Sequence, residues 1–371
     1  MPAAPHIVLA AGGTGGHLFP AEALAADLIQ RGCRVSVFTD TRGLSIAERI
    51  PQATVCRVLS ATPSTSALWR RLLAYGQLGA GMMQAQWLLL RHRPTAVVGF
   101  GGYPSVPTLA AAATARVPII LHEQNAVLGR ANALMSSRAR SIAVSFPNTS
   151  GLRVEDRAKV TLTGNPVRPA IRKLAEQPYP APEAGGALRL VVTGGSQGAR
   201  VLAEVVPTAL TSLPTEMRQR LIVTQQVRPE NLDEVARAYR EAGVTADIAP
   251  FFNDLPDRLG RCHLAIGRAG ASTVMEFAVA GIPAILVPLP TALDDHQTIN
   301  ASHAVEAGGA VLMPQANLTP PYLARRLFSL LRDADQLAAM SAAQRSWTRR
   351  DAASALADLV LAAPSLREEA A

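Results

Sequence analysis

The stretch "HIVLAAGGTGGH", residues 6–17, sets a short apolar run directly ahead of four glycines, a threonine and a histidine. Such a run, bounded by glycines, reads as a buried strand followed by a turn into a helix. Backbone without side chains can approach a phosphate where a helix begins, so the loop points to a phosphate-bearing ligand. The plain alternative is a tight strand-to-helix turn that binds nothing. "LRLVVTGGSQGA", residues 188–199, repeats the arrangement halfway along the chain.

Working outward, further short apolar runs follow the first at Val35 to Thr39, Ala96 to Gly99, Ile119 to His122 and Ser141 to Val144. After the second glycine loop come "RLIVTQ", "HLAIG", "PAILVPL" and "AVLM", with helical patterns between them. Strands alternating with helices predict βαβ units and parallel sheets, and the restart near residue 188 predicts two of them. The fold class is therefore α/β, with two Rossmann-like domains in tandem. "GNPVRPAIRKLAEQPYPAPEAGG", rich in Pro, Gly and Ala, reads as the connection. It sets domains at 1–166 and 167–346, with a last helix at about 347–362 that caps the second domain or packs back on the first.

Composition agrees. At 371 residues, 49% hydrophobic and 17% charged, the chain suits two cores rather than one and is no disordered tract. The net charge of +8 is small and scattered and fits an anionic partner, whether nucleic acid, acidic lipid or a diphosphate, though the chain lacks the basic and aromatic interleaving that favours nucleic acid. Three widely spaced cysteines form neither a disulfide framework nor a zinc site. A reduced, cytosolic protein is expected, and "HIVLA" is too short for a signal-peptide core.

The glycine loops carry the candidate chemistry. Gly13-Thr14-Gly15 begins a GxGxxG, yet Leu18 stands at the third glycine position, so the dinucleotide fingerprint is broken. Asp40, ending the second strand, sits where a ribose-binding acid is expected and keeps an NAD reading open. His17 falls in the first turn of a helix, whose positive end disfavours imidazolium and suits a neutral general base. Its alternative is a ring bonded to a neighbouring loop. Ser196, between the retained Gly194, Gly195 and Gly198, adds a hydroxyl to the helix-end amides or is simply an N-cap. "GFGGYPSVP" (99–107) and the polar run in "LHEQNAVLGRAN" (121–132) also follow strands, at the functional edge of a parallel sheet. In "IGRAGASTVMEFAVAGIP", residues 266–283, Thr273 and Glu276 fit a capping box, which the pattern alone favours over a ligand-binding Glu276. "PLPTALDDHQTINA" (288–301) has no metal-ligand spacing and reads as a sugar-facing loop.

In this order, "GGTGGH", "GFGGYPS", "LHEQNAVLGRAN", "TGNPVR", "GGSQGAR", "GRAGASTVMEF" and "DDHQTINA" resemble the signature segments of the peptidoglycan N-acetylglucosaminyltransferases, over residues 6 to about 310. The resemblance implies a GT-B glycosyltransferase whose two parallel sheets face across a cleft, with UDP-N-acetylglucosamine held mostly by the C-terminal domain. It implies that Thr14, Gly15 and Gly16 face the diphosphate and acceptor side, that Asn125 reaches the sugar, and that Arg168 and Ser196 help bind nucleotide. Phe252 would stand at the uracil position. Ala271, Ser272, Thr273, Val274, Met275 and Glu276 would hold sugar, diphosphate and ribose, and Gln297 would read sugar hydroxyls. The cap preference for Glu276 then gives way, and Asp40 is left without a role. His17 is the candidate base, and helix-end amides with Arg268 offset charge on the departing UDP. No metal or other cofactor is implied beyond the donor substrate.

The implied acceptor, lipid I, carries a polyprenyl chain, which places the enzyme peripherally on the cytoplasmic face of the bacterial inner membrane, where cell-wall synthesis proteins are possible partners. "LLAYGQLGAGMMQAQWLLL", residues 72–90, is uncharged and nearly long enough to span a bilayer, but its glutamines and glycines spoil a spanning helix. Trp69, Leu72, Leu73, Met82, Met83 and Trp87, flanked by Arg70, Arg71, Arg91 and Arg93, form a candidate patch for an anionic membrane surface. The alternative is a crossover helix packed on its sheet. Two rivals to the transferase remain: a UDP-N-acetylglucosamine 2-epimerase of the same fold, and a nucleotide-sugar-binding scaffold without turnover.

Overall fold

The computed structural model describes residues 4–62, 68–195 and 198–363. The chain divides into two compact units, Met1–Arg168 with Asp351–Ala371, and Pro169–Arg350.

The first unit holds β1 (His6–Ala10), β2 (Arg34–Thr39), β3 (Thr54–Arg57), β4 (Ala96–Gly99), β5 (Ile119–Glu123), β6 (Ser141–Val144) and β7 (Val160–Leu162). They form one seven-stranded sheet in the order β3-β2-β1-β4-β5-β6-β7. Every pairing is parallel, with Ile7 beside Val35 and Ala96. Both faces of β1 are buried, and the pleat sends alternate residues to different cores. Ile7 and Leu9 pack with Leu24 and Leu28 of the helix Gly15–Gln30 and with Leu356 and Val360 of the helix Ala352–Ala362. Val8 and Ala10 pack with Leu88 and Leu89 of the helix Leu68–His92 and with Leu109 of the helix Val106–Thr114. Arg31 pairs with Asp358 and Ser354, tying the last helix to the first.

The second unit holds β8 (Leu188–Thr193), β9 (Leu221–Gln226), β10 (Thr245–Ala249), β11 (Leu264–Gly267), β12 (Ala284–Leu286) and β13 (Ala310–Leu312). Its six-stranded parallel sheet runs β10-β9-β8-β11-β12-β13. Leu188, Leu190 and Val192 send alternate side chains into a core shared with Leu202, Val206 and Leu327. In both units the strand order reverses beside the first strand, opening a crevice at the carboxyl ends of β1 and β4, and of β8 and β11.

Three strands were absent from the sequence reading: β3, β7 and β10. All three are sheet edges with mostly exposed or half-buried residues, so they carry no continuous apolar run.

The helix Leu68–His92 packs one side on the sheet and leaves the other bare. Trp69, Leu72 and Met83 are 59%, 64% and 77% exposed, and Leu73 and Trp87 are also exposed. Met82 differs from these five: it is half-buried and lines an open apolar hollow of about 770 Å³ with Val106, Ala110 and Leu134. Arg116, Arg138 and Arg140 also line that hollow. The guanidinium groups of Arg70 and Arg91 lie 5.0 and 5.8 Å from the ring centres of Trp69 and Trp87. Arg71 and Arg93 are exposed. Gln84 accepts from the Leu59 amide at 3.0 Å and donates to the Arg57 carbonyl at 2.8 Å. Gln86 accepts from Thr114 at 2.8 Å. Gln84 and Gln86 thus bond within the protein, and among the described residues no helix is long and apolar enough to cross a membrane.

Candidate active site

In the first unit, the loop after β1 turns into the helix Gly15–Gln30 with Thr14 at the N-cap, which puts Gly15, Gly16 and His17 in its first turn. The loop after β4 folds against it. Gly102 has φ +72°, which strains any other residue, and a Cβ there would also crowd the His17 ring at 3.3 Å. The loop after β5 supplies Gln124, whose Oε1 is 3.0 Å from His17 Nδ1. Three separate glycine or polar clusters of the sequence therefore meet at one sheet edge. Glu123 shapes the third cluster: Oε1 accepts from the amide and side chain of Asn125 at 3.0 and 3.2 Å, and Oε2 accepts from Gly129 and Asn132 at 2.9 and 2.8 Å.

Asp40 has a structural task that the sequence reading missed. Its Oδ1 accepts from the Gly13 and Gly43 amides at 3.1 and 3.2 Å, and its Oδ2 from Arg42 Nε at 2.7 Å. The carboxylate braces the glycine loop and is not presented to a ribose. Arg42, also missed, lies over Gly13 with most of its side chain exposed. Arg168 closes the unit, its guanidinium 4.8 Å from the centre of the Phe19 ring.

In the second unit, the helix Ala271–Ala280 starts beyond β11 with Gly270 as its N-cap. Thr273 is inside that helix, so the Thr273–Glu276 capping box does not form. The amides that a helix cannot bond internally are those of its first turn, here Ala271 to Thr273. The Val274 amide already donates to the Gly270 carbonyl at 3.0 Å, and the Val274 and Met275 side chains are buried. Glu276 is 7% exposed. Arg268 extends from the end of β11, donating to the Val287 and Pro288 carbonyls at 3.2 and 2.9 Å and to Gln315 at 2.7 Å. Burial lowers the pKa of this guanidinium. Gln297 accepts from the Leu289 amide at 2.9 Å, which orients its Nε2 as a donor. It follows Asp294 and Asp295, both left-handed at φ +53° and +49°, a strained pair of the kind that gathers at ligand loops. Phe252 is buried, with the Arg258 guanidinium 4.3 Å from its ring centre, whereas Phe251 is exposed. Ser196 lies outside the described residues. Among the described residues no group of three His, Cys, Asp or Glu is placed to hold a metal ion.

Comparison with known proteins decides the family. The glycosyltransferase family 28 N-terminal domain matches residues 7–144, and the family 28 C-terminal domain matches residues 189–356. A UDP-N-acetylglucosamine--N-acetylmuramyl-(pentapeptide) pyrophosphoryl-undecaprenol N-acetylglucosamine transferase of Rhodospirillum centenum is 54% identical over 360 residues, 97% of this chain and 95% of that protein. The chain belongs to this transferase family. A second member, from Methylorubrum extorquens, is 48% identical over 357 residues, 96% of this chain and 97% of its own. The crystal structure of Acinetobacter baumannii MurG matches the family fold with a TM-score of 0.76 at 30% identity, covering 96% of this chain and 99% of that one. The two parallel Rossmann-like sheets are those of a GT-B glycosyltransferase of this family.

Proposed function

We propose that the chain moves N-acetylglucosamine from UDP-N-acetylglucosamine to the 4-hydroxyl of N-acetylmuramic acid in lipid I, undecaprenyl-pyrophosphoryl-MurNAc-pentapeptide, forming lipid II for peptidoglycan synthesis. The acceptor oxygen attacks the anomeric carbon from the face opposite UDP. A new β-glycosidic bond forms, the bond from carbon to diphosphate oxygen breaks, and its electron pair leaves with UDP.

His17 takes the hydroxyl proton. The observation that carries this is its position in the first turn of a helix at the reversal point of the sheet, with Nδ1 engaged by Gln124. Thr14, Gly15 and Gly16 serve the diphosphate and acceptor side, and Asn125 reaches the sugar. In the second unit, the first-turn amides of Ala271 to Thr273, together with Arg268, offset charge growing on UDP. Glu276 takes the ribose and Gln297 the sugar hydroxyls, with Arg168, Ser196 and the Phe252 segment completing the nucleotide site.

The exposed apolar face of Leu68–His92, with Arg70, Arg71, Arg91 and Arg93, attaches the protein peripherally to the anionic inner membrane surface at its cytoplasmic face. The neighbouring hollow, with its three arginines, suits the acyl or prenyl chain of an anionic lipid.

Incubation with labelled UDP-N-acetylglucosamine and a lipid I analogue should give a labelled disaccharide-lipid, and its absence sinks the reading. In that assay His17→Ala should lower kcat by about 10²- to 10⁴-fold while UDP affinity is kept. A scaffold without turnover would have none to lose.

A further inference from the structure

We infer that a buried hydrogen-bond chain, Gly164–His122–Gln124–His17, fixes the tautomer of His17 and makes Gln124 and His122 positioning residues for its Nε2. This rests on the transferase reading only in giving that nitrogen a proton to accept.

The direction of every bond follows from the one group that can only accept. The Gly164 carbonyl lies 3.2 Å from His122 Nε2, so that nitrogen carries the proton. His122 is fully buried and burial holds its pKa down at about 4, which keeps the ring neutral and leaves Nδ1 as an acceptor. Gln124 Nε2 donates to it at 2.9 Å. The same Nε2 is 3.0 Å from the His122 carbonyl, which fixes the amide orientation because two oxygens would repel there. Gln124 Oε1 is then an acceptor, and the group it faces is His17 Nδ1 at 3.0 Å. Nδ1 of a neutral His17 therefore carries the proton, and Nε2 keeps its lone pair.

A free neutral imidazole divides between two tautomers, and only one presents a base at Nε2. Here the choice is set through two side chains that are each at most 2% exposed. Gln124 differs from a carboxylate in the same place: it orients the ring without adding a negative charge that would hold a proton on it. The base can thus receive a proton and release it.

The test is nitrogen NMR of ¹⁵N-histidine-labelled full-length protein at a pH where histidine is neutral, about 8.5. The His17 signals are identified by their loss in His17→Ala. The wild-type protein should show a lone-pair Nε2 and a protonated Nδ1 for His17. Gln124→Met, similar in size but unable to accept or donate as the amide does, should mix the two tautomers. It should also lower kcat by roughly 10- to 100-fold, the size of effect that loss of an outer partner has on metal-binding imidazoles, at unchanged KM for UDP-N-acetylglucosamine. A protonated Nε2 in the wild-type protein, or an unaltered tautomer in Gln124→Met, overturns the inference. The tautomer readout needs no substrate, so its failure is distinct from failure of the transferase assay.

Discussion

Asp40 shows how one carboxylate can look like a ligand group in sequence and prove to be a brace. It accepts from two backbone amides of neighbouring loops and from Arg42, so removing it strands donors beside the glycine loop. Asp40→Ala should lower unfolding free energy by about 1–3 kcal/mol in a denaturant titration. The wild-type protein should show no NADH binding by fluorescence, and a saturable signal would restore the dinucleotide reading. At this scale the sequence was legible where residue type is bound to one chemistry, as with a histidine opening a helix. It was illegible where the partner is remote: Asp40 is 27 positions from the Gly13 it holds, and Gln124 is 107 from His17. Capping patterns failed for a related reason, since the Thr273–Glu276 spacing fits a box but the chain enters the helix three residues earlier at Gly270.

The helix Leu68–His92 poses the question of elements. Its length and lack of charge resemble a membrane span, and Gln84 and Gln86, bonded to Leu59, Arg57 and Thr114, anchor it to the first unit instead. Gly81 makes that seating close: a Cβ there would stand 1.9 Å from the Leu59 carbonyl oxygen. Gly81→Ala should therefore force the helix off β3 and its following loop and lower the melting temperature. The exposed face obeys another rule, because its side chains contribute little to folding. Replacing Leu72, Leu73 and Trp87 with Gln should leave the melting temperature within a few degrees of wild type. The same triple variant should lose most co-sedimentation with vesicles containing anionic phospholipid, and retained sedimentation counts against this face as the attachment site. Central strands were readable in the sequence because burial on both faces demands continuous apolar runs. The edge strands β3, β7 and β10 escaped because their partners, rather than their own composition, hold them, whereas β13, also an edge, is legible as "AVLM".

Across the whole molecule, each unit carries a histidine that burial shifts far towards the neutral form. Burial lowers His122 and His263 from the ordinary 6.5 to about 4, and the His263 ring accepts from the Arg189 amide at 3.1 Å. The unfolded chain binds protons in that interval that the folded chain does not. Stability from these groups is thus complete above about pH 6.5 and falls as pH drops towards 4, by about 2 kcal/mol for each by pH 5. Calorimetry should show the melting temperature dropping between pH 7 and 5, and a flat profile contradicts it. The same two-unit scale explains the return of the chain after residue 350. Synthesis runs from the N-terminus, so β1 to β7 leave the ribosome long before the helix Ala352–Ala362 that covers Ile7 and Leu9. Pro169–Arg350 has its whole core in one uninterrupted piece. The unit made second is therefore the first able to finish folding, while the unit made first waits with one face of its sheet partly uncovered.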